Sequence, residues 1–184
     1  MLQQTFKPYR MSELRKANFD ELFFATLTVV DWIDVFSRRD YTDILVKNLQ
    51  FCQEKMGLEL FAYVIMTNHL HLVASQKDGN LNDVLGRFKS FTAKTILAAI
   101  KDNPKESRKE WLLHMFRYHA KFKPQEHHFW RPTNHPIALT NHGMKIQKID
   151  YTHMNPVRAG YVLEPEHWYY SSACPFSPIK VLDL

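Results

Sequence analysis

The hydrophobic pattern of this 184-residue chain changes period repeatedly, and the order of the changes admits few folds. LFFATLTVV (Leu22–Val30) is a run of β-formers long enough for a buried strand. From Asp40 to Met56, Tyr41, Ile44, Leu45, Leu49, Cys52 and Met56 recur at spacings of three and four, which predicts a helix with one apolar stripe. Gly57 stands where a helix C-cap glycine belongs. LELFAYVIM (Leu58–Met66) predicts a second strand, Thr67-Asn68 a tight turn, and HLHLVAS (His69–Ser75) a third strand. A second amphipathic helix follows over Asn80–Ile100, with Leu81, Val84, Leu85, Phe88, Phe91, Ile96 and Ile100 on one side and Asn80 or Asn82 as its cap. Asn103–Glu110 is a charged break, and Trp111–Ala120 adds a helical turn or two. FWRPTNHPIALT (Phe129–Thr140) holds two prolines and reads as an edge strand at best. A last helix runs from Asn141 or His142 to about Arg158, disturbed at Pro156 and ended by Gly160. The tail beyond it reads as extended, anchored by Trp168, Tyr169 and Tyr170.

Strand, helix, strand, strand, helix, strand is the β-α-β-β-α-β order of the ferredoxin-like unit. The expected fold is α+β: a ferredoxin-like (RRM-like) antiparallel sheet with helices on one face, plus a C-terminal helix carrying Tyr151. The other face is left open for a ligand or a further helix. The length fits a single domain, with residues 1–20 as an N-terminal arm and 161–184 as a C-terminal tail.

Composition narrows the function. Two distant cysteines, Cys52 and Cys174, exclude a disulfide scaffold and a four-cysteine zinc module, and they fit a reducing cytosol. No apolar run approaches the ~20 residues of a membrane span, and the first residues lack a signal-peptide core. The expected location is the cytoplasm, and the resemblance described below adds association with the nucleoid. The net charge is +5, and it is uneven. Arg87 to Arg131 contains 11 basic and 4 acidic residues, so the rest of the chain is slightly acidic. A basic stretch of this kind suits a polyanion such as nucleic acid. Among the aromatics, core packing is expected for Trp130 and Trp168; if the chain has the single-stranded DNA substrate that the resemblance described below implies, Trp111, Tyr118, Phe129 or Trp130 could stack on its unpaired bases.

Two short motifs carry the chemistry. In a strand, His69 and His71 project to one face while Leu70 and Leu72 face the other, so the imidazoles form a half-site for a divalent metal. On the last helix Tyr151 and Asn155 are i and i+4 and share a face. The Asn155 amide oxygen suits a hard cation such as Mg²⁺ or Mn²⁺. The Tyr151 phenol can serve as a covalent nucleophile.

YVIMTNHLHLV (Tyr63–Val73), followed by DYTHMNPVRAGYV (Asp150–Val162), resembles the single-tyrosine HUH transposases. Among these the chain is most similar to the REP-associated tyrosine transposases, over roughly residues 20 to 175. It departs from the usual pattern at Thr67, where the turn before the histidines ordinarily has proline. The resemblance implies an enzyme that cuts and rejoins single-stranded DNA beside a hairpin or palindromic repeat. Tyr151 would be the nucleophile, and His69, His71 and Asn155 would hold one Mg²⁺ or Mn²⁺. Arg87, Lys89, Lys94, Arg131, His153 and Arg158 are the expected DNA contacts, and the protein is expected to act as a monomer or homodimer. Positions 147 and 155, one helical turn either side of Tyr151, are Gln147 and Asn155, which fits a one-tyrosine scheme. Two alternatives are an H-x-H metallohydrolase that uses water, and a non-catalytic RRM-like module that binds single-stranded nucleic acid.

Overall fold

The computed structural model describes residues 21–121 and 127–184. The arm expected over residues 1–20 lies outside them. Four strands, β1 (Phe23–Thr28), β2 (Leu58–Ile65), β3 (His69–Gln76) and the two-residue β4 (Ile137–Ala138), form one antiparallel sheet in the order β2-β3-β1-β4. Helices α1 (Arg39–Met56) and α2 (Leu81–Asp102) pack on one face, with α3 (Lys109–Ala120) against α2. Helix α4 (His142–His153), followed by the short α5 (Asn155–Arg158), lies on the other face against β2 and β3. This is the expected α+β, ferredoxin-like arrangement with the tyrosine helix added.

The main core joins Ala25, Leu27 and Val29 of the β1 segment, Leu70, Leu72 and Ala74 of β3, and the inner stripes of α1 and α2. A bulge in β2 keeps that core continuous. The register with β3 slips between Leu60 and Ala62, so Leu58 and Leu60 before it and Tyr63 and Ile65 after it all face the helices. Ala62 thereby turns to the other face, where it packs with Leu22, Phe24, Val73 and Leu139 beneath Met144 and Ile149 of α4. A bulge reverses the alternation of side chains along a strand, and here it serves both layers.

Gly57 ends α1 in the left-handed region, with φ +68°, as the sequence predicts. An added Cβ would lie 3.1 Å from the amide nitrogen of Gln76, which itself donates to the Met56 carbonyl. Gly57→Ala is therefore expected to destabilise the fold by about 1–2 kcal/mol in a urea melt, with an unchanged denaturant slope.

Several expectations need correction. Phe91 is 59% exposed, whereas Thr92 is buried in its place and accepts the Trp130 indole N–H at 3.1 Å. The row of side chains facing the core runs Phe88, Thr92, Ile96 and Ile100, a spacing of four that passes Phe91 by. Phe129 and Trp130 are both buried, which leaves Trp111 and Tyr118 as the exposed members of the expected stacking set. Asn80, not Asn82, caps α2. The last helix breaks at Met154 instead of continuing to Arg158. The tail is not extended but built of turns around a single 3₁₀ turn, Pro165–His167. It still covers the outer edge of β2: Ile65 donates to Tyr170, Ser172 to Tyr63, and Leu182 to Leu60. An unpaired edge would otherwise invite association. Trp168 is half-buried, its indole N–H on the Ile65 carbonyl at 2.9 Å.

Pro132 and Pro136 explain why β4 is so short. The segment from Phe129 to Leu139 still follows β1, through backbone bonds at Val30, Thr28, Thr26 and Leu22. Lys89 collects groups that this broken strand leaves over, donating to the carbonyls of Arg131 and Pro132 and to Asn134 Oδ1 at 2.6–3.1 Å. Burial pushes its ammonium down to about 8.

Candidate active site

The pleat of β3 sends Leu70 and Leu72 into the main core and both histidines to the face that α4 covers. Pairing with β1 sets Thr26 opposite His71 and Thr28 opposite His69. The two rings stand 4.8 Å apart, centroid to centroid. His71 is buried, stacked on Phe24 at 5.1 Å, with Nδ1 at 2.9 Å from Thr26 Oγ1. His69 Nδ1 lies 2.7 Å from Asn68 Oδ1.

The Asn68 amide fixes the state of His69. Its nitrogen donates to the Trp32 carbonyl and to Asp34 Oδ1, at 3.2 and 2.9 Å. Its oxygen therefore faces the ring, and because that oxygen only accepts, Nδ1 of His69 carries the proton and Nε2 carries the lone pair. Burial lowers the pKa of His69, opposed in part by Asn155 and Asp34. Burial, then His69 and Lys148, push His71 down to about 3. Both shifts favour the neutral imidazole, the form that binds a metal.

Tyr151 reaches the pair from α4. Its ring lies 5.4 Å from His71 and 5.7 Å from Phe24, edge-on to both, and 36% of the residue is exposed. Lys148 and Arg158 place their cations 5.2 and 5.1 Å from its centroid. The helix break at Met154 starts α5 on Asn155, with Pro156 next, where proline's missing N–H costs nothing. Tyr151 thus meets His71, while the Asn155 side chain comes near enough to His69 to raise its pKa. Among the described residues no three His, Cys, Asp or Glu side chains gather as a metal site, so a third protein donor here would be the Asn155 amide.

The structure therefore brings together His69, His71, Tyr151, Asn155 and Arg158. Arg131 joins the rim: its guanidinium lies 5.3 Å from the Trp32 ring, which in turn meets His69 edge-on at 5.4 Å. Arg87 and Lys94 are exposed on α2. Lys89 is committed to the loop acceptors. His153 turns away from Tyr151, half-buried against the tail with Nε2 2.9 Å from Ser172 Oγ. Sequence reasoning missed Thr26, Trp32 and Lys148, and it read Asn68 only as a turn residue. Lys148 had a local signal, three residues before Tyr151 on one helix. Thr26 and Trp32 reach the site only through the β1–β3 pairing and the loop after β1.

No family model and no curated protein matches the sequence. The structure is similar to a solved REP-associated tyrosine transposase bound to a REP hairpin, with a TM-score of 0.60 and 16% identity, over 91% of this chain and 82% of that one. A candidate transposase from Deinococcus radiodurans R1 aligns at TM-score 0.41 and 17% identity, over 82% of this chain and 95% of that one. Among the described residues no helix is long and apolar enough to cross a membrane.

Proposed function

We propose that this chain is a metal-dependent transposase or endonuclease that cleaves and rejoins single-stranded DNA beside a hairpin or palindromic repeat. The observation that carries the reading is one partly exposed phenol, Tyr151, set against two imidazoles shifted toward the neutral form and flanked by two cations. The hairpin bound by the transposase of similar fold supports the choice of substrate.

Tyr151 attacks the phosphorus of a phosphodiester through its phenolic oxygen. The new oxygen–phosphorus bond forms as the bond to the 3′ oxygen breaks. The phenol gives up its proton to solvent, and the departing 3′ oxygen takes one up. The product is a 5′-phosphotyrosine diester, whose bond can be returned to a 3′ hydroxyl with no external energy source. Lys148 and Arg158 face the non-bridging oxygens, where charge builds in the transition state. A Mg²⁺ or Mn²⁺ held by His69, His71 and Asn155 would add Lewis-acid polarisation of the same phosphate, and two imidazoles with one amide leave positions open for substrate oxygens. Arg87, Lys94 and Arg131 hold neighbouring phosphates, which makes affinity fall with salt.

A labelled hairpin with single-stranded flanks, incubated with Mg²⁺ or Mn²⁺ and run on a denaturing gel, tests the reading. A labelled band at protein mass is expected, abolished by EDTA and reduced at least ~100-fold in His71→Ala. Nicked product without any adduct would favour the water-using metallohydrolase. Tight binding with neither nick nor adduct would favour the passive module.

A further inference from the structure

We propose that Trp32 is the stacking platform for the unpaired base next to the scissile phosphate, a role that rests on the single-stranded DNA reading above. The backbone supplies the first reason. Asp31 and Trp32 are consecutive residues in the left-handed region, with φ 53° and 56°, and neither is glycine. L side chains avoid that region, and a bulky one seldom enters it. A turn with no further task would place Gly or Asn here. Strain of this sort persists where the surroundings hold it, and it concentrates at functional sites.

The surroundings do hold it. Trp32 N–H donates to the Val29 carbonyl at 3.2 Å, Ile33 N–H to Val30 at 3.3 Å, and Val30 N–H to Phe129 at 2.8 Å. Asn68 donates to the Trp32 carbonyl at 3.2 Å. That amide is the one that orients His69, so a single side chain ties the His69 ring to the backbone of the strained turn.

Exposure is the second reason. Val30 and Ile33, which bracket the strained pair, are buried at 5%, yet Trp32 is 48% exposed. The strained turn lifts the largest side chain out of the core and sets it edge-on against His69 at 5.4 Å. The Arg131 guanidinium lies over the ring, 5.3 Å from its centroid, so a cation sits on one face of the indole and a base would stack on the other. An indole beside a candidate metal ligand, with a guanidinium over one face, suits a nucleotide: the base stacks on the other face, and the cation serves the adjoining phosphate. Stacking accepts any base, because each has a π-face. Trp32 would thus fix the position of the strand at the cut without reading its sequence.

The test measures binding alone, in a Tyr151→Phe background that cannot form an adduct. The probe is a fluorescent hairpin whose single-stranded flank carries one abasic position, moved stepwise along it. On the intact strand Trp32→Ala is expected to weaken affinity about tenfold, as is Trp32→Leu, which keeps apolar bulk without a π-face. Trp32→Phe should stay within about threefold of the parent. At one flank position, loss of the base should weaken the parent by the same factor and leave Trp32→Ala and Trp32→Leu unchanged. Losses that multiply at every position would overturn the platform, as would full affinity in the folded Trp32→Leu variant. Adduct formation with Tyr151 intact tests the nuclease reading separately. Coupling without adduct would overturn only that reading, and adduct without coupling only this one.

Discussion

Tyr151→Phe is expected to abolish strand cleavage and adduct formation completely while leaving hairpin affinity unchanged. The change removes one oxygen and keeps the ring. The edge contacts to His71 and Phe24, at 5.4 and 5.7 Å, belong to that ring, as do the approaches of Lys148 and Arg158. Stability should barely move, because among the described residues no hydrogen bond uses the phenolic oxygen of Tyr151. A catalyst that merely oriented water through this phenol would retain slow nicking in the variant. A phosphotyrosine mechanism retains none, since the bond-forming atom is gone. A denaturing gel for cleavage and an anisotropy titration for binding separate the two.

Glu106→Ala is expected to produce the largest loss of stability of any single substitution considered. The carboxylate is fully buried in the loop between α2 and α3, 2.7 Å from Arg38 Nε and 3.3 Å from Arg108 Nε. It also accepts from the Tyr41 hydroxyl at 3.2 Å and the Arg108 backbone N–H at 3.0 Å. Removing it strands two guanidiniums that water reaches only in part, which is expected to cost about 2–4 kcal/mol. For a chain of this length that lowers the thermal midpoint by roughly 4–16 °C. The knot also bears on the site, because Arg108 donates to the Asp34 carbonyl at 2.9 Å and Asp34 holds the Asn68 amide. Burial would raise the Glu106 carboxyl, but the backbone and guanidinium of Arg108, with Arg38, outweigh it and hold it below its ordinary value. A carboxylate depressed in the folded state stabilises the fold above its unfolded pKa. That contribution fades as pH falls through the folded value. Wild type should therefore lose stability below about pH 4.5 more steeply than Glu106→Gln, as thermal melts across that range would show.

Much of this was legible in the sequence, for a physical reason: local periodicity survives folding. The spacing in α1 and α2, the glycine at 57 and the alternation of His69, Leu70, His71 and Leu72 each depend on a few neighbouring residues. They were enough for the ferredoxin-like order and for a pair of imidazoles on the sheet's other face. What escaped depends on contacts between distant residues. The bulge at Phe61 reverses the facing of Ala62 and Tyr63, which no alternation count reveals. Lys89 counted as one more cation in a basic stretch, yet it closes a loop more than 40 residues away. His153 looked like a polar residue near the tyrosine, but the tail folds back to meet it. Asn68 was visible as a turn residue, whereas its hold on His69 and Trp32 needs the loop after β1 in place.

The measurement that bears most directly on the central claim is mass spectrometry of the trapped adduct. Trypsin cuts after Lys148 and Arg158, so the peptide Ile149–Arg158 contains one tyrosine, Tyr151. The account predicts that a nuclease-trimmed adduct adds a nucleotide 5′-phosphate to this peptide, localised by fragmentation to Tyr151. A nucleotide found on any other residue, or a cleaved strand with this peptide unmodified, would contradict it.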